Sequence, residues 1–565
     1  MPEAGAALLL PGDAFDTDHR QVMGRRVAGR SLATALAKHL PPGERLHLIA
    51  LEAGERQRLV QLLQPALPAG SSLAISGSLN RQQLSERGCL HLPEPGLGKW
   101  TLLRSGGPAH AFSLTGIIHT LCSFGVCDAL EELLTAPLAP WDALICTSTA
   151  GRSVVEHAVD AHHEALERRF GQRLSRPSGP QLPLIPLAID PEPLRWETGH
   201  SSRQEQRHWA RQQLGLPLEA RIVLFVGRLS FHSKAHPGVL YRALAAAAEG
   251  CPHHPVVLLE CGHFFNAEIA AAWQRLQPLY PQLVVRRLGG LNPATESEKQ
   301  LALAAADLFC SPADNLQETF GLSLLEAMAA ELPVVASDWN GYRDLVDHGS
   351  TGLLVPTADP LAAADPLVPD ALEISYRLGL VGYDQLVAQR SLAVVVNERG
   401  LRHSLETLLH DPELCRRMGQ QARLKLNQQF SWSVVAQQYR QLWGELTDRR
   451  RLAAAEMASP MQLPPHVPQG QLFRHYASQP LCIDGPWRRT ALDPTLLLDP
   501  MQAATLQAWC ADVEALVARL QHWPQAQALD TASLKTTFES LGVNGTVQPQ
   551  LLGALLKLGL LEEQA

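Results

Sequence analysis

Between Arg221 and Asp338 the chain repeats one pattern five times: a short aliphatic, β-branched run, then a stretch that forms helix. The runs are IVLFVG, PVVLLECG, QLVVRRLGG, ADLFCSP and LPVVASD, with stretches such as VLYRALAAAAEG and EIAAAWQRLQPLY between them. Strands apolar on both faces need cover on both faces, and helices returning between parallel strands supply it. The alternation therefore predicts a doubly wound parallel sheet. GLLVPT at 352–357 follows the fifth run.

A looser version precedes it. AALLL (6–10), HLIALEA (47–53), SSLAISG (71–77), LTGIIHTLCS (114–123) and a strand at 143–147 alternate with helical stretches, among them the Ala/Leu-rich helix that follows Gly24. The polar region 80–100 carries no strand signal. The proline-dense segment 174–198 separates the halves as a linker. The predicted fold is α/β: two Rossmann-like doubly wound parallel-sheet domains, 1–198 and 199–452, plus a mainly helical C-terminal extension, 453–565.

At 565 residues the chain is long enough for two or three domains. With 46% hydrophobic and 18% charged residues and a net charge of -8, it has a folded protein's composition and no bulk basic field for nucleic acid or anionic lipid. The last helix pair resembles a helix-turn-helix in outline. It has no basic face, which favours packing or oligomer formation over DNA binding. The ten cysteines are scattered without zinc spacing, as expected of buried thiols in a reducing compartment. The N-terminus lacks a basic n-region, and no run of about twenty apolar residues occurs. The expected location is cytoplasmic, with peripheral membrane contact left open.

Chemistry concentrates in the second half. FVGRLSFHSKAHP places Gly227, Arg228 and Lys234 just past a strand's carboxyl end, where open parallel sheets bind ligands. Two cations there suit a diphosphate, although taken alone a solvated surface loop is the plainer account of them. Downstream, ETFGLSLLEAMA sets Glu318 before a helix and Glu326 within it. Phe320, Gly321 and Leu322 present free backbone N–H groups at that helix start. Glu318 alone could be a dipole partner of the helix. Glu326, recurring in an otherwise apolar helix, fits that role less well.

Together, G-R-x5-K, E-x7-E, LPVVASD and GYRDLVDHGSTGLLVPT resemble the retaining GT-B glycosyltransferases of family 4, over about residues 215–450 and more loosely before. The resemblance implies a hexosyltransferase taking a nucleotide diphosphate sugar, UDP- or GDP-linked, and a glycan, lipid or small-molecule acceptor, with no metal and no cofactor. It implies that Arg228 and Lys234 hold the diphosphate, that Glu318 meets the donor sugar, and that Glu326 meets the ribose. The base is expected near Leu288 and Gly289, and the resemblance also implies that the closing helices at 430–450 cross back onto the first domain. His119 matches the histidine facing the reacting sugar, and Gly24 the N-terminal glycine loop. Family enzymes react on one sugar face with the leaving phosphate as base, so Glu318 is not assigned as a nucleophile. Alternatives are a catalytically silent nucleotide-sugar module, or an epimerase or phosphorylase of the same fold.

Four features depart from the family pattern. One extra residue separates Arg228 from Lys234, Thr319 replaces a small residue or proline, Glu331 stands where a helix-ending glycine is usual, and 360–395 has no counterpart.

Overall fold

Six short strands form the first sheet: β1 (Ala7–Leu9), β2 (Arg45–Ile49), β3 (Ser72–Ser76), β4 (Cys89–His91), β5 (Ser113–Ile117) and β6 (Ala143–Ile145). Their order is β3-β2-β1-β4-β5-β6, and every pair is parallel. A second sheet repeats the arrangement with β7 (Arg221–Leu229), β8 (Val256–Phe264), β9 (Val284–Leu288), β10 (Leu308–Ser311), β11 (Val334–Ser337) and β12 (Gly352–Val355). Its order is β12-β11-β10-β7-β8-β9, again all parallel. This computed structural model describes residues 5–16, 24–191, 202–251, 253–363, 368–456, 462–481, 483–525 and 528–564.

The predicted fold class is what the chain adopts: two Rossmann-like sheets and a helical C-terminal region. The expected boundary at 198/199 lies outside the described residues. Winding reverses at β1/β4 and at β7/β10. A crevice opens at such a reversal, beyond the carboxyl ends of the strands.

Each sheet divides its side chains between two cores. Ile222, Leu224 and Val226 of β7 face one and Val223 and Phe225 the other, all buried. Leu8 and Leu10 separate from Ala7 and Leu9 in the same way. This is the period-two alternation of a strand covered on both faces. The helix Trp432–Glu456 contributes Val435, Tyr439 and Leu446 to the first sheet's core.

Three features differ from the sequence reading. β4 lies at the centre of the first sheet, inside the region 80–100 that showed no strand signal. At three residues, with a cysteine and a histidine, it is too short for periodicity to register. GLLVPT supplies a sixth strand, β12, to the second sheet. Part of the proline-rich segment is not a free linker: Gln181 and Leu184 bridge in parallel to Ala143 and Cys146 along β6. Proline cannot complete a ladder, so this edge stays irregular.

The second compact unit, His466–Ala565, is built from the helices Val513–His522, Thr531–Ser540 and Gln548–Lys557 around Leu520, Phe538 and Leu551. Trp487–Arg489 pairs antiparallel with Leu561–Glu563 beside them. Among the described residues no helix is long and apolar enough to cross a membrane.

Glu331 explains its own oddity. The helix Leu322–Ala329 ends with Leu332 N–H donating to Ala327 O (3.0 Å) and Glu331 N–H donating to Met328 O (3.1 Å). That is the double closure of a Schellman turn, which needs a left-handed residue at the position Glu331 holds. Glu331 has φ 57°. A side chain there costs about 1–2 kcal/mol, and glycine would give back about 0.4–1 kcal/mol through unfolded-chain entropy. Glu331→Gly is therefore expected to raise the unfolding free energy by about 1 kcal/mol. Urea titration checks this, and an unchanged or lowered midpoint at constant slope contradicts it.

Candidate active site

The carboxyl ends of the two sheets face a shared cleft of about 560 Å³. His119, Arg228, Lys234, Glu318 and Glu326 all line it, together with Gly227 and the Phe320-Gly321-Leu322 turn. Strand topology places them. Gly227 and Arg228 lie near the carboxyl end of β7, the loop carrying Glu318 follows β10, and His119 follows β5. β7 and β10 flank the winding reversal of the second sheet, so their loops meet over its crevice.

Lys234 and Glu318 form the centre. Lys234 Nζ lies 2.6 Å from Glu318 Oε2, with the two side chains only 12% and 17% exposed. Nζ also donates to Tyr342 Oη at 3.3 Å, and Tyr342 Oη shares a 2.9 Å hydrogen bond with Ser311 Oγ. Buried Asn315 ties the two loops together. Its Nδ2 donates to Lys234 O (2.6 Å), while its Oδ1 accepts from the N–H groups of Gln317 and Glu318 (3.0 Å each). The side chains that touch are thus carried on loops that are themselves cross-linked.

Burial opposes both charges. On Lys234 it works to lower the pKa, and the Glu318 carboxylate and Tyr342 oxygen more than reverse it, so the ammonium is held above its ordinary range. On Glu318 burial works upward. The Lys234 ammonium, the Phe320 N–H and the Arg228 guanidinium override it and hold the carboxyl below its ordinary range. Burial pushes Tyr342 up to about 12, which keeps it a neutral hydroxyl donor. Arg228 forms no ion pair among the described residues, and burial draws its pKa down. Its guanidinium lines the cleft without an ion-pair partner among the described residues.

Glycines set the close backbone packing around the cleft. Gly321 caps the helix Leu322–Ala329 at φ 117°, and a Cβ there would lie 2.6 Å from the Tyr342 ring. Gly227, Gly262 and Gly289 stand side by side at the ends of β7, β8 and β9. A Cβ on Gly262 would meet Gly227 O at 1.8 Å, and one on Gly289 would meet Gly262 O at 2.0 Å. Gly227 and Gly262 line the cleft, and Gly289 packs behind Gly262.

Leu288 and Gly289 sit one strand out from the cleft lining, with Gly289 backing onto Gly262. Gly24 is the first residue of the helix Gly24–Lys38 rather than part of a preceding loop, and Val27 of that helix lines the cleft. Glu326 does not face the cleft alone: Lys299 Nζ holds its Oε1 at 2.8 Å.

The residues the sequence reading passed over are Asn315, Tyr342, Gly262 and Lys299. Asn315 has a local signal, since an asparagine after a strand commonly caps the following turn. The others reach the cleft through partners on other elements and leave none.

Thr319 joins the halves. Its Oγ1 donates to His119 O (2.8 Å), its carbonyl accepts from Ser148 Oγ (2.9 Å), and nearby Thr149 N–H donates to Asp344 Oδ2 (2.6 Å). The unplaced segment after 360 adds a second bridge. Tyr376 Oη accepts from Phe124 N–H (2.9 Å), Arg377 pairs with Asp128 (2.9 Å), and Tyr383 Oη lies 3.3 Å from Cys122 Sγ.

Residues 220–368 match the family model described as "Glycosyl transferases group 1". Among curated relatives, the D-inositol 3-phosphate glycosyltransferase of Corynebacterium efficiens is 32% identical over 239 residues, 42% of this chain and 46% of that protein. The chain therefore spans less than half the length of that relative. The phosphatidyl-myo-inositol mannosyltransferase of Mycobacterium leprae is 29% identical over 361 residues, 58% of this chain and 83% of its own length. Among solved structures, Anabaena HepE in complex with UDP is similar at 17% identity and a TM-score of 0.48, covering 78% of this chain and all of that one.

The central pair has a defined pH window. A carboxyl depressed on folding stabilises above its unfolded value, ordinarily 4.5, and that contribution is lost as pH falls through the folded value. A lysine raised on folding contributes below its ordinary 10.5, and its share is lost only as pH rises through a still higher value. Lys234→Met strands a buried carboxylate and is expected to cost about 3 kcal/mol at pH 7, while Lys234→Met with Glu318→Gln regains most of it. Equal losses in the single and double variants, measured by denaturant unfolding, would rule out the pairing.

Proposed function

We propose, from the match of residues 220–368 to the glycosyl transferases group 1 model, that the chain is a retaining, metal-independent glycosyltransferase. It moves a sugar from a UDP- or GDP-sugar to an acceptor held mainly by the first half. The observation that carries this reading is the convergence of Arg228, Lys234, Glu318, Glu326 and His119, from both halves, on one cleft.

The roles follow from charge and position. The bond between the sugar C1 and the diphosphate oxygen breaks, and that oxygen keeps the electron pair. Arg228 and Lys234 meet the charge that develops there, where preset cations in a water-poor site are most effective. The Phe320-Gly321-Leu322 turn offers N–H groups to the same region. Glu318 is held ionised by Lys234 and accepts hydrogen bonds from donor-sugar hydroxyls. His119 faces the reacting sugar from the other half. The acceptor oxygen bonds to C1 on the face the diphosphate leaves, and its proton passes to the departing phosphate. Two halves bridged at Thr319 keep donor and acceptor within reach, which supplies the proximity contribution.

The relatives named for inositol phosphate and phosphatidylinositol acceptors make polyol hydroxyls the first acceptors to try. Calorimetric screening of nucleotide sugars is expected to find one UDP- or GDP-sugar that binds, with slow release of free sugar when no acceptor is present. Lys234→Ala and Glu318→Ala should each lower turnover about 10²- to 10³-fold, and EDTA should leave turnover unaffected. If no nucleotide sugar binds, the proposal is wrong.

A further inference from the structure

Lys299 lies on the helix Glu296–Ala305, whose start is fixed by a capping box between Thr295 and Glu298. Glu326 lies on the helix Leu322–Ala329. Both helices anchor in the same core, through Leu303 and Ala304 on one and Leu324 and Leu325 on the other. The two backbones are thus held relative to each other, and Lys299 Nζ spans the gap. It lies 2.8 Å from Glu326 Oε1 and 3.0 Å from Glu296 Oε2. Lys299 and Glu326 are each about a quarter exposed, and both line the cleft. Glu326 Oε2 takes no hydrogen bond among the described residues.

We infer that Lys299 is a positioning residue for donor recognition: by committing Glu326 Oε1, it fixes the carboxylate so that Oε2 is presented to the ribose hydroxyls of the nucleotide. This rests on the reading of Glu326 as the ribose contact. A carboxylate on a flexible side chain samples several rotamers, and one that must accept from a diol gains from having one oxygen fixed beforehand. Glu296, far more exposed than Glu326 at 68%, is a competing partner for the same ammonium. An interhelical ion pair serving the fold alone would give no reason for the pair to line the cleft with one oxygen open.

The experiment compares dissociation constants for UDP and GDP with those for their 2′,3′-dideoxy analogues, using the full chain. The wild type should prefer the ribonucleotide by about tenfold or more, the size expected for hydrogen bonds to a charged acceptor. Lys299→Met should bring that ratio to within about twofold and raise KM for the nucleotide sugar, with kcat held. Lys299→Arg should restore most of the preference. Glu296→Gln, which leaves Lys299 to Glu326 alone, should keep the ratio at or above wild type. If Lys299→Met does not unfold cooperatively, Lys299→Gln replaces it. A wild type that discriminates, beside a Lys299 variant that discriminates equally well, overturns the inference and leaves the donor reading standing. A wild type that binds neither nucleotide overturns both. One that binds nucleotide without discriminating overturns the ribose role of Glu326 and the inference with it.

Discussion

A parallel sheet delivers every strand's carboxyl end to the same edge, and the rest of this structure depends on that constraint. In each half the winding reverses between the first and fourth strands, so the loops after them diverge and leave a crevice. Two such edges meet in the first compact unit. Chain segments far apart in sequence, after β5, β7, β8 and β10, thereby contribute side chains to one cleft without any of those loops being long. The packing that fixes this is ordinary: alternate strand residues buried on the two faces of each sheet, with helices over both.

Within the cleft, electrostatics decides which groups stay charged. Burial taken alone would neutralise Lys234 and Glu318. At 2.6 Å their mutual attraction in a poorly hydrated site exceeds that cost, and both remain ionised. The pair leaves little net charge at its centre, so Arg228, unpaired among the described residues, is the cation that most strongly attracts an anion. Asn315 makes the geometry stiff by tying the backbone under Lys234 to the backbone of Glu318. Groups held this way need little rearrangement as charge develops, which is the condition that the proposed stabilisation of a leaving diphosphate requires.

Three of the four departures from the family pattern have physical locations. Thr319 carries the contacts that join the halves. The segment after 360 reaches across to Phe124 and Asp128. Glu331 occupies a left-handed position that its helix ending requires and that glycine would fill at lower cost. The first two act between elements and the third within one turn, which is why the third alone could be anticipated as strain.

Local pattern was enough for much of this. Runs of β-branched and aliphatic residues alternating with helices determined two doubly wound sheets, because strands buried on both faces and helical returns leave few other solutions. The spacing of Arg228, Lys234, Glu318 and Glu326 relative to strand ends placed them at the sheet's carboxyl edge, because that edge is set by strand direction. The tertiary structure alone decided the rest. β4 is three residues long and carries no periodicity, yet it is central. Lys299, Tyr342 and Gly262 matter only through partners on other elements, and a partner distant in sequence leaves no mark on the residues beside it. The pairing of Lys234 with Glu318, 84 positions apart, belongs to the same class. Sequence could say that both reach one edge, while the 2.6 Å between them depends on loops cross-linked by a buried asparagine.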